Sequence, residues 1–337
     1  MFFITFHGGD GGVNNIYAYD DGGNLLSPAN PGILSVNKPE DLSELRGFYF
    51  QNDYLYVANG GKKVNNILCF KGSATRYKKV SHFVDGDGNA QGVTSINHPF
   101  AMTFDGSGHC YVSNQDNDVV AILNVASDYQ TATAGSLPQY LTLKPFDKGT
   151  FLAGTFVASS YGCLPNVPGT TPVPISMGGL DVAIIEGKVQ NSVRDVALSG
   201  GILYVVDEPG NVIRLYDPVT GTPLGISNQV IGPVHMVLKG NVIYLSAGTQ
   251  ILSGTCPTAP VPSASATNVC LTLTPIVTGL PGQASGMTFD PEGNFYVAIR
   301  TSTPQILKYT SLPGTPTVFN QQALTDAPEF IAYVPNS

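Results

Sequence analysis

The sequence has 337 residues, of which 42% are hydrophobic and 12% are charged, and its formal net charge at pH 7 is −8. The charged share is about half of that in an average soluble protein, while 38 glycines and 25 prolines supply many turn residues. The longest basic clusters are the pairs Lys62-Lys63 and Lys78-Lys79. Nucleic acid is therefore not expected as a partner, because a phosphate backbone requires clustered lysine and arginine side chains.

The N-terminal segment 1–12 reads MFFITFHGGDGG. It lacks the basic start and the long apolar stretch of a signal peptide. No run of 18 apolar residues occurs in the sequence, so neither a membrane-spanning segment nor a membrane partner is predicted. We expect a soluble, monomeric protein that is either cytoplasmic or secreted.

A strand–turn–strand unit recurs along the chain. Its copies, in chain order, are GFYFQNDYLYVAN (47–59), AMTFDGSGHCYVSN (101–114), DVALSGGILYVVD (195–207), HMVLKGNVIYLSA (235–247) and GMTFDPEGNFYVAI (286–299). A third apolar stretch follows each copy, and none shows helical periodicity, which predicts a small antiparallel sheet for each unit. One such sheet cannot bury both of its faces, whereas radially packed sheets can. The sequence therefore predicts an all-β fold, a single β-propeller.

The two ends of the chain supply a further copy. The C-terminal APEFIAYV (327–334) resembles a first strand, and FFITFHG (2–8) and NNIYAYD (14–20) resemble the second and third strands. Pairing of the terminal strands would close the ring and leave no open sheet edge. Six blades are predicted, with seven as the alternative. Residues 1–337 form one propeller domain in this prediction, with insertions at about 125–190 and 252–275.

Three of the units resemble NHL-type repeats: INHPFAMTFDGSGHCYVSNQDNDVVAIL, VRDVALSGGILYVVDEPGNVIRLYDPVTG and ASGMTFDPEGNFYVAIRTSTPQILKY. The propellers that share such repeats include SMP-30-like lactonases, streptogramin-lyase-like enzymes and strictosidine-synthase-like proteins. The resemblance implies the propeller fold for most of the chain. For function it implies several classes, because this fold hosts hydrolases, lyases, synthases and binding platforms.

In a propeller, the start of each first strand and the end of each second strand open on one face, where a ligand pocket forms. The first-strand positions hold Gly47, Ala101, Asp195, His235, Gly286 and Glu329, preceded by Arg46, Phe100, Arg194, Val234, Ser285 and Pro328. The second-strand positions hold His7, Asn59, Asn114, Asp207, Ala247 and Ile299, with Arg300 next. In a chain with few charged residues, this convergence predicts a functional site at the mouth of the propeller.

The charged members of these sets are the candidate catalytic residues: His7, Arg46, Arg194, Asp195, Asp207, His235 and Glu329. Carboxylates and histidines would act as acid–base or metal-binding groups, while arginines would hold an anionic or carbonyl oxygen. The candidate substrate-binding residues are Asn59, Phe100, Asn114, Val234, Ser285, Ile299 and Arg300. The alternative for the strand-end Asp and Asn side chains is that they accept backbone N–H bonds in turns.

Two other histidines and the cysteines are interpreted separately. His109 occupies a turn position and is expected to be solvated, while His98 lies either at the rim of the pocket or in a loop anchor. The cysteines are Cys69, Cys110, Cys163, Cys256 and Cys270, and they show no metal-binding spacing. Cys256 and Cys270 bracket one loop and would form a disulfide in an oxidising compartment. Otherwise all five are buried free thiols.

The first functional hypothesis is an enzyme of the cyclase, synthase or lyase kind that acts on a small organic substrate without a cofactor. Histidines, carboxylates and arginines among apolar neighbours suit a substrate with a carbonyl group and a hydrophobic body. By analogy with propeller-fold enzymes of natural-product pathways, a hetero-Diels–Alder cyclisation is one such reaction.

Two alternatives are kept. A metal-dependent lactonase or hydrolase of the SMP-30 type would bind Ca²⁺ or another divalent metal through Glu329, Asn114 or Asn59, and Asp207. The RPNG motif of that group is absent from the sequence. A non-catalytic binding propeller is the other alternative, but the mouth residues differ from blade to blade, which favours one small-molecule site.

Overall fold

A computed structural model describes residues 1–335 apart from 86–97, most of 125–192 and short stretches at 10, 30, 52–53, 62–63, 74, 107–108, 116–118, 209, 219–222, 262–263 and 265–267. Within 125–192 it describes one hairpin, β11 (Ile184–Ile185) with β12 (Lys188–Val189). A single-turn 3₁₀ helix covers Pro39–Asp41. No helix in the described ranges has the length and hydropathy of a membrane span.

The remaining strands, numbered in chain order, form six larger sheets. The first blade contains β3 (Leu34–Ser35), β4 (Leu45–Gln51), β5 (Tyr54–Gly61), β6 (Val64–Ser73) and β7 (Arg76–Asp85), and the second contains β8 (Pro99–Phe104), β9 (His109–Asn114) and β10 (Val119–Asn124). The third contains β13 (Val193–Ser199), β14 (Ile202–Asp207), β15 (Val212–Tyr216), β16 (Pro223–Ser227) and β20 (Val269–Leu271). The fourth contains β17 (Pro233–Lys239), β18 (Val242–Ala247), β19 (Gln250–Thr255) and β21 (Thr274–Val277), and the fifth contains β22 (Gln283–Phe289), β23 (Phe295–Arg300), β24 (Gln305–Tyr309) and β25 (Thr317–Val318). The terminal sheet consists of β26 (Pro328–Tyr333), β1 (Phe2–Phe6) and β2 (Tyr17–Tyr19).

The blade count differs from the sequence prediction of six or seven. In the described part of the chain, five blades are each built mainly from one stretch of sequence, whereas the terminal sheet combines three strands from the two ends of the chain. The predicted pairing of the two chain ends is present as an antiparallel ladder, in which Phe3 faces Ala332 and Ile4 faces Ile331. Closure of a complete ring through this sheet stays a prediction.

The predicted insertion at 252–275 contributes to two blades. Residues 250–255 are the third strand of the fourth blade, and β21 is its outer strand. β20 crosses to the third blade, where it pairs in parallel with β16. The predicted insertion at about 125–190 lies almost wholly outside the described residues.

Aromatic rings fill the space between neighbouring sheets. Phe2 is fully buried, and its ring centroid lies 4.3 Å from that of Tyr296 and 4.8 Å from that of Phe319 in the fifth blade. On the other side of the terminal sheet, Phe3 packs against Phe50 of the first blade at 5.7 Å. Burial of each such ring stabilises the fold by about 1.5–3 kcal/mol, so both faces of the terminal sheet contribute to the core.

Each innermost strand carries a β-bulge at the same place, where two of its residues face one residue of the second strand. The paired residues are Arg46-Gly47, Phe100-Ala101, Arg194-Asp195, Val234-His235, Ser285-Gly286 and Glu329-Phe330, and the residues opposite are Ala58, Ser113, Val206, Ser246, Ala298 and Thr5. A bulge interrupts the ladder and redirects side chains. All six bulges fall at the predicted mouth positions.

Hydroxyl groups on the second strands satisfy backbone donors that three of the bulges release. The N–H of Ala101 donates to Ser113 Oγ at 3.0 Å, that of His235 donates to Ser246 Oγ at 3.0 Å, and that of Phe330 donates to Thr5 Oγ1 at 3.1 Å. A buried N–H without an acceptor is costly. These hydroxyls therefore stabilise the bulged backbone.

Candidate functional site

The carboxylate of Glu329 is the centre of a buried polar cluster. Its Oε2 lies 3.2 Å from His7 Nδ1, 3.3 Å from Arg300 Nη1 and 3.4 Å from Arg46 Nη1. Its Oε1 lies 3.7 Å from His235 Nε2, and the side chain is 1% exposed. Burial alone would raise the pKa of Glu329, but hydrogen bonding from His235 and His7 and the charges of Arg46 and Arg300 hold that pKa well below its usual value. Glu329 is therefore a buried carboxylate ion.

His7 brings the cluster to the surface, because its side chain is 46% exposed. Besides Glu329, its Nδ1 faces two guanidinium nitrogens: Nη1 of Arg46 at 2.9 Å and Nη2 of Arg300 at 3.2 Å. A protonated Nδ1 can donate to the carboxylate, and a deprotonated Nδ1 can accept from an arginine. The ring therefore keeps a partner in either state.

Arg46 is held from a second side by a pair of residues with unusual backbone. Its Nη2 donates to Glu44 Oε2 at 2.9 Å and lies 3.3 Å from His98 Nε2. Glu44 has φ = 49° and His98 has φ = 51°, which is left-handed backbone that only glycine adopts without strain. Such strain concentrates at functional sites. His98 is thus both a loop anchor and part of the site's wall.

Burial lowers the pKa of Arg46, and the charges of Glu329 and Glu44 oppose that shift. An arginine remains protonated under ordinary conditions because its pKa in water exceeds 12. Arg46 therefore supplies a permanent buried positive charge beneath His7.

His235 lies on the interior side of Glu329. Its Nδ1 lies 3.5 Å from Asp195 Oδ2, and its ring centroid lies 5.0 Å from that of Phe100 and 5.3 Å from that of Phe330. Burial opposes a charged imidazole, but Asp195 and Glu329 more than offset this, so the pKa of His235 is raised. His235 is 1% exposed, which places it beneath the mouth rather than in it.

Arg194 forms a separate arm of the site. Its Nε donates to Glu208 Oε2 at 2.7 Å, and its Nη1 donates to Gln115 Oε1 at 2.6 Å. Its guanidinium carbon lies 5.0 Å from the centroid of the Phe100 ring. Because the Phe100 ring also packs against His235, it contacts both Arg194 and the cluster around Glu329. Arg194 is therefore held rigidly within reach of solvent.

Several predicted site residues have structural contacts instead. Asp207 accepts from Arg214 Nε at 2.7 Å and from the N–H of Gly210 at 2.9 Å. Asn59 accepts from the N–H of Ser43 and donates to the carbonyl of Asp41, both at 2.8 Å. These are the backbone and turn contacts that the sequence left open as the alternative.

The other predicted binding residues are buried in the wall of the site. Asn114 Nδ2 donates to the carbonyl of Val112 at 3.1 Å, and Ser285 Oγ donates to the Glu329 carbonyl at 2.6 Å. Val234 is 3% exposed and Ile299 is fully buried. Among the predicted binding residues, Phe100 packs against His235 and Arg194, and Arg300 lies beside Glu329 and His7.

In the observed strand pairing, the residues equivalent to His7 lie one position beyond the second-strand residues that the sequence predicted for the mouth. His7 follows Phe6, which pairs with Pro328, just as Arg300 follows Ile299, which pairs with Ala284. The residues equivalent to His7 are therefore Gly60, Gln115, Glu208, Gly248 and Arg300. The sequence interpretation missed Gln115 and Glu208, and it also missed Glu44. For Gln115 and Glu208 the signal was a polar residue one position beyond the second-strand end; Glu44, which precedes β4, had no such signal.

The alternative metal site stays a prediction, and the carboxylates proposed as its ligands have other partners in the structure. Glu329 is surrounded by two arginines and two histidines, and Asp207 is paired with Arg214. Among the described residues, no group of three or more His, Cys, Asp or Glu side chains has metal-binding geometry. A guanidinium close to a carboxylate competes with a metal cation for the same oxygens.

The disulfide predicted for an oxidising compartment is not formed in the structure, where Cys256 and Cys270 are free thiols.

The sequence matches no known protein family, and no curated protein matches it either. The fold does match solved structures. This protein is a β-propeller. A proposed 6-phosphogluconolactonase of Bacteroides fragilis aligns with a TM-score of 0.56 and 10% identity over 99% of this chain and 97% of that one. A Lactobacillus plantarum protein aligns with a TM-score of 0.54 and 16% identity over 96% of this chain and 82% of that one. The periplasmic gluconolactonase of Pseudomonas aeruginosa aligns with a TM-score of 0.51 and 16% identity over 96% of this chain and 83% of that one.

These identities are too low to transfer function, so the comparisons establish the fold and nothing finer. The fold is the one implied by the resemblance to NHL-type repeats, although no family match identifies those repeats. None of the three proteins is named as a cyclase. The expectation of a Diels–Alder reaction therefore gains no support from them.

Proposed function

We propose that this protein is an enzyme that hydrolyses a small lactone at the cluster of Glu329, His7, Arg46 and Arg300. The observation that supports it is the position of His7, a half-exposed imidazole whose Nδ1 lies within 3.2 Å of a buried carboxylate. Histidine is the commonest general acid and base at neutral pH. A carboxylate on one ring nitrogen leaves the other nitrogen free to transfer a proton.

The proposed step uses groups that are already in place. With the proton on Nδ1 held by Glu329, Nε2 of His7 accepts a proton from water, and the water oxygen attacks the lactone carbonyl carbon. Arg300, whose side chain is 25% exposed, stabilises the negative charge that develops on the carbonyl oxygen. The ring C–O bond then breaks, and the leaving oxygen takes the proton from Nε2. The product is a hydroxy acid, and His7 returns to its starting state.

The named functions of the structural neighbours support the choice of a lactone. Two of the three are described as a gluconolactonase or a 6-phosphogluconolactonase, and both align over more than nine-tenths of this chain. The cyclase, synthase or lyase function and the non-catalytic binding function stay predictions from the sequence, since no contact at the site favours them over hydrolysis.

The experiment measures acid release from glucono-1,5-lactone and its 6-phosphate with a pH indicator, relative to spontaneous hydrolysis. Wild-type protein should accelerate ring opening of at least one lactone. His7→Ala should lower kcat about 100-fold or more, which is the usual contribution of a general acid–base group. His109→Ala is the matched control, because His109 forms its own carboxylate pair with Asp105 at 2.7 Å. An unchanged rate in His7→Ala would contradict the proposal.

A further inference from the structure

Buried groups continue the Glu329–His7 pair into the interior. From inside to outside, Asp195 is followed by His235, Glu329 and His7, with successive atom-to-atom distances of 3.5, 3.7 and 3.2 Å. The four groups alternate between carboxylate and imidazole. Three of them come from different strands, β13, β17 and β26, and His7 lies in the segment just after β1.

The middle imidazole has no water-facing edge. His235 is 1% exposed, and the rings of Phe100 and Phe330 pack against it. Neither ring nitrogen has a neutral hydrogen-bond acceptor among the described residues; each instead faces one carboxylate oxygen at ion-pair distance. A neutral imidazole carries one N–H, so one of the two carboxylates would face a lone pair. A doubly protonated ring matches both.

Asp195 is itself fixed by backbone donors. Its Oδ1 accepts from the N–H of Val196 at 2.8 Å, and its Oδ2 accepts from the N–H of Met236 at 2.9 Å. On the far side, the N–H of His235 donates to Ser246 Oγ at 3.0 Å. The residue is therefore held at its backbone N–H, by two aromatic neighbours and at both ring nitrogens.

We propose that His235 is a positioning residue: a buried imidazolium, clamped between Asp195 and Glu329, that fixes the Glu329 carboxylate beneath His7. The inference rests on the proposed hydrolytic role of His7 for its catalytic consequence, but the protonation state of His235 does not depend on that role. The aromatic rings add to the effect, because a cation is attracted to an aromatic face.

Other charged groups act on the same carboxylate. Arg46 and Arg300 lie within 3.4 Å of Glu329 Oε2, while in the described part of the chain His235 is the basic group that faces Oε1. Loss of the imidazolium would leave Oε1 without a cation and would free the carboxylate to turn. The proton affinity of Glu329 would then increase, and His7 would lose its fixed acceptor as the pH falls.

The first test is NMR of wild-type protein labelled with ¹⁵N in the histidine rings. At pH 8, where a free histidine with a pKa of about 6.5 is neutral, both nitrogens of His235 should show imidazolium shifts and the ring should not exchange rapidly. A neutral tautomer of His235 at pH 8 would overturn the inference. The wild-type protein suffices for this measurement, so a variant that fails to fold does not affect it.

The second test compares His235→Gln with wild type, and His109→Gln serves as the control. The variant should lose at least 10-fold in kcat with little change in KM, and the acid limb of its pH–rate profile should move to higher pH. A variant whose profile keeps its shape while its folded fraction falls would show that His235 only supports the fold, which would overturn the positioning role.

The two proposals fail separately. If no lactone is hydrolysed but His235 is doubly protonated at pH 8, the proposed hydrolysis is wrong and the buried imidazolium stands. If His7→Ala abolishes hydrolysis but His235 is neutral, the hydrolytic site stands and the clamp is wrong.

Discussion

Asp207 and Arg214 form an ion pair inside the third blade, with 2.7 Å between Oδ2 and Nε and with side chains that are 0% and 3% exposed. The pair joins β14 to β15, away from the contacts that build the Glu329 cluster. A buried ion pair is costly to break, because the remaining charge has no compensating partner. Asp207, a candidate catalytic residue from the sequence, is thus expected to matter for stability.

Asp207→Asn should lower the free energy of unfolding by about 3–5 kcal/mol and leave kcat per folded molecule unchanged. Urea denaturation and active-site-normalised kinetics would measure the two effects. The double variant Asp207→Leu with Arg214→Met should recover part of the stability, because it removes both charges. Wild-type stability combined with lost activity would instead assign Asp207 to the chemistry.

Ser246→Ala should destabilise the protein by about 1–3 kcal/mol, because the N–H of His235 would lose its acceptor inside the fold. Ser253→Ala on β19, the third strand of the fourth blade, is a matched control, since that residue is half-buried and lies outside the bulges of the innermost strands. Thermal unfolding of both variants gives the comparison. Equal melting temperatures would mean that water or another group satisfies the bulge.

Gly286→Ala should be poorly tolerated, because a Cβ at this position would lie 2.6 Å from the Phe330 Cα and the Ile331 N of the adjacent terminal sheet. Relief of that contact requires movement of backbone, which costs about 1–3 kcal/mol or more. Gly106→Ala is the control, since its Cβ would meet nothing within 4 Å. Soluble yield and denaturation midpoints should separate the two variants clearly.

The pH dependence of folding should reflect the two coupled groups. Glu329 has a pKa below its ordinary value of 4.5, so its stabilising contribution is complete above that value and is lost as the pH falls through the lower folded pKa. His235 has a pKa above its ordinary value of 6.5, so its contribution is complete below 6.5 and is lost as the pH rises through the higher folded pKa.

Denaturation at a series of pH values would test this. The advantage of wild type over Glu329→Gln should shrink in strong acid, and its advantage over His235→Gln should shrink at alkaline pH. An advantage over His235→Gln that grows with pH would mean that His235 is buried as a neutral ring.

Much of the fold followed from repeated patterns in the sequence. Short apolar runs separated by turn residues predicted the strands, because strand formation and turns are signalled locally. The likeness of the two terminal segments to the other copies predicted the pairing of the chain ends. The number of complete blades did not follow, since a terminal unit of three short strands has the same pattern as a full blade. The crossing of β20 into the third blade was also invisible, because that pairing depends on distant residues.

The clustering of charged side chains in the candidate site was predicted in part for a similar reason. Glu329, His7, Arg46 and His235 were identified because strand ends must meet at one face. The terminal copy was aligned one residue out of register, because its first and second strands lie at opposite ends of the chain, and Glu329 matches Arg46 and Ser285 in position rather than Gly47 and Gly286. With the second-strand ends placed one residue early relative to His7, Gln115 and Glu208 were passed over for their buried neighbours.

The terminal sheet ties the chemistry to the least local contact of the chain. His7 and Glu329 are 322 positions apart, and they meet only while β1 and β26 remain paired. Phe2 and Phe3 of this sheet are fully buried against the neighbouring blades, so its opening would expose core side chains as well as separate His7 from Glu329. The candidate site and the core therefore depend on the same pairing, and a covalent link between the two strands should raise the melting temperature of the protein without touching the site.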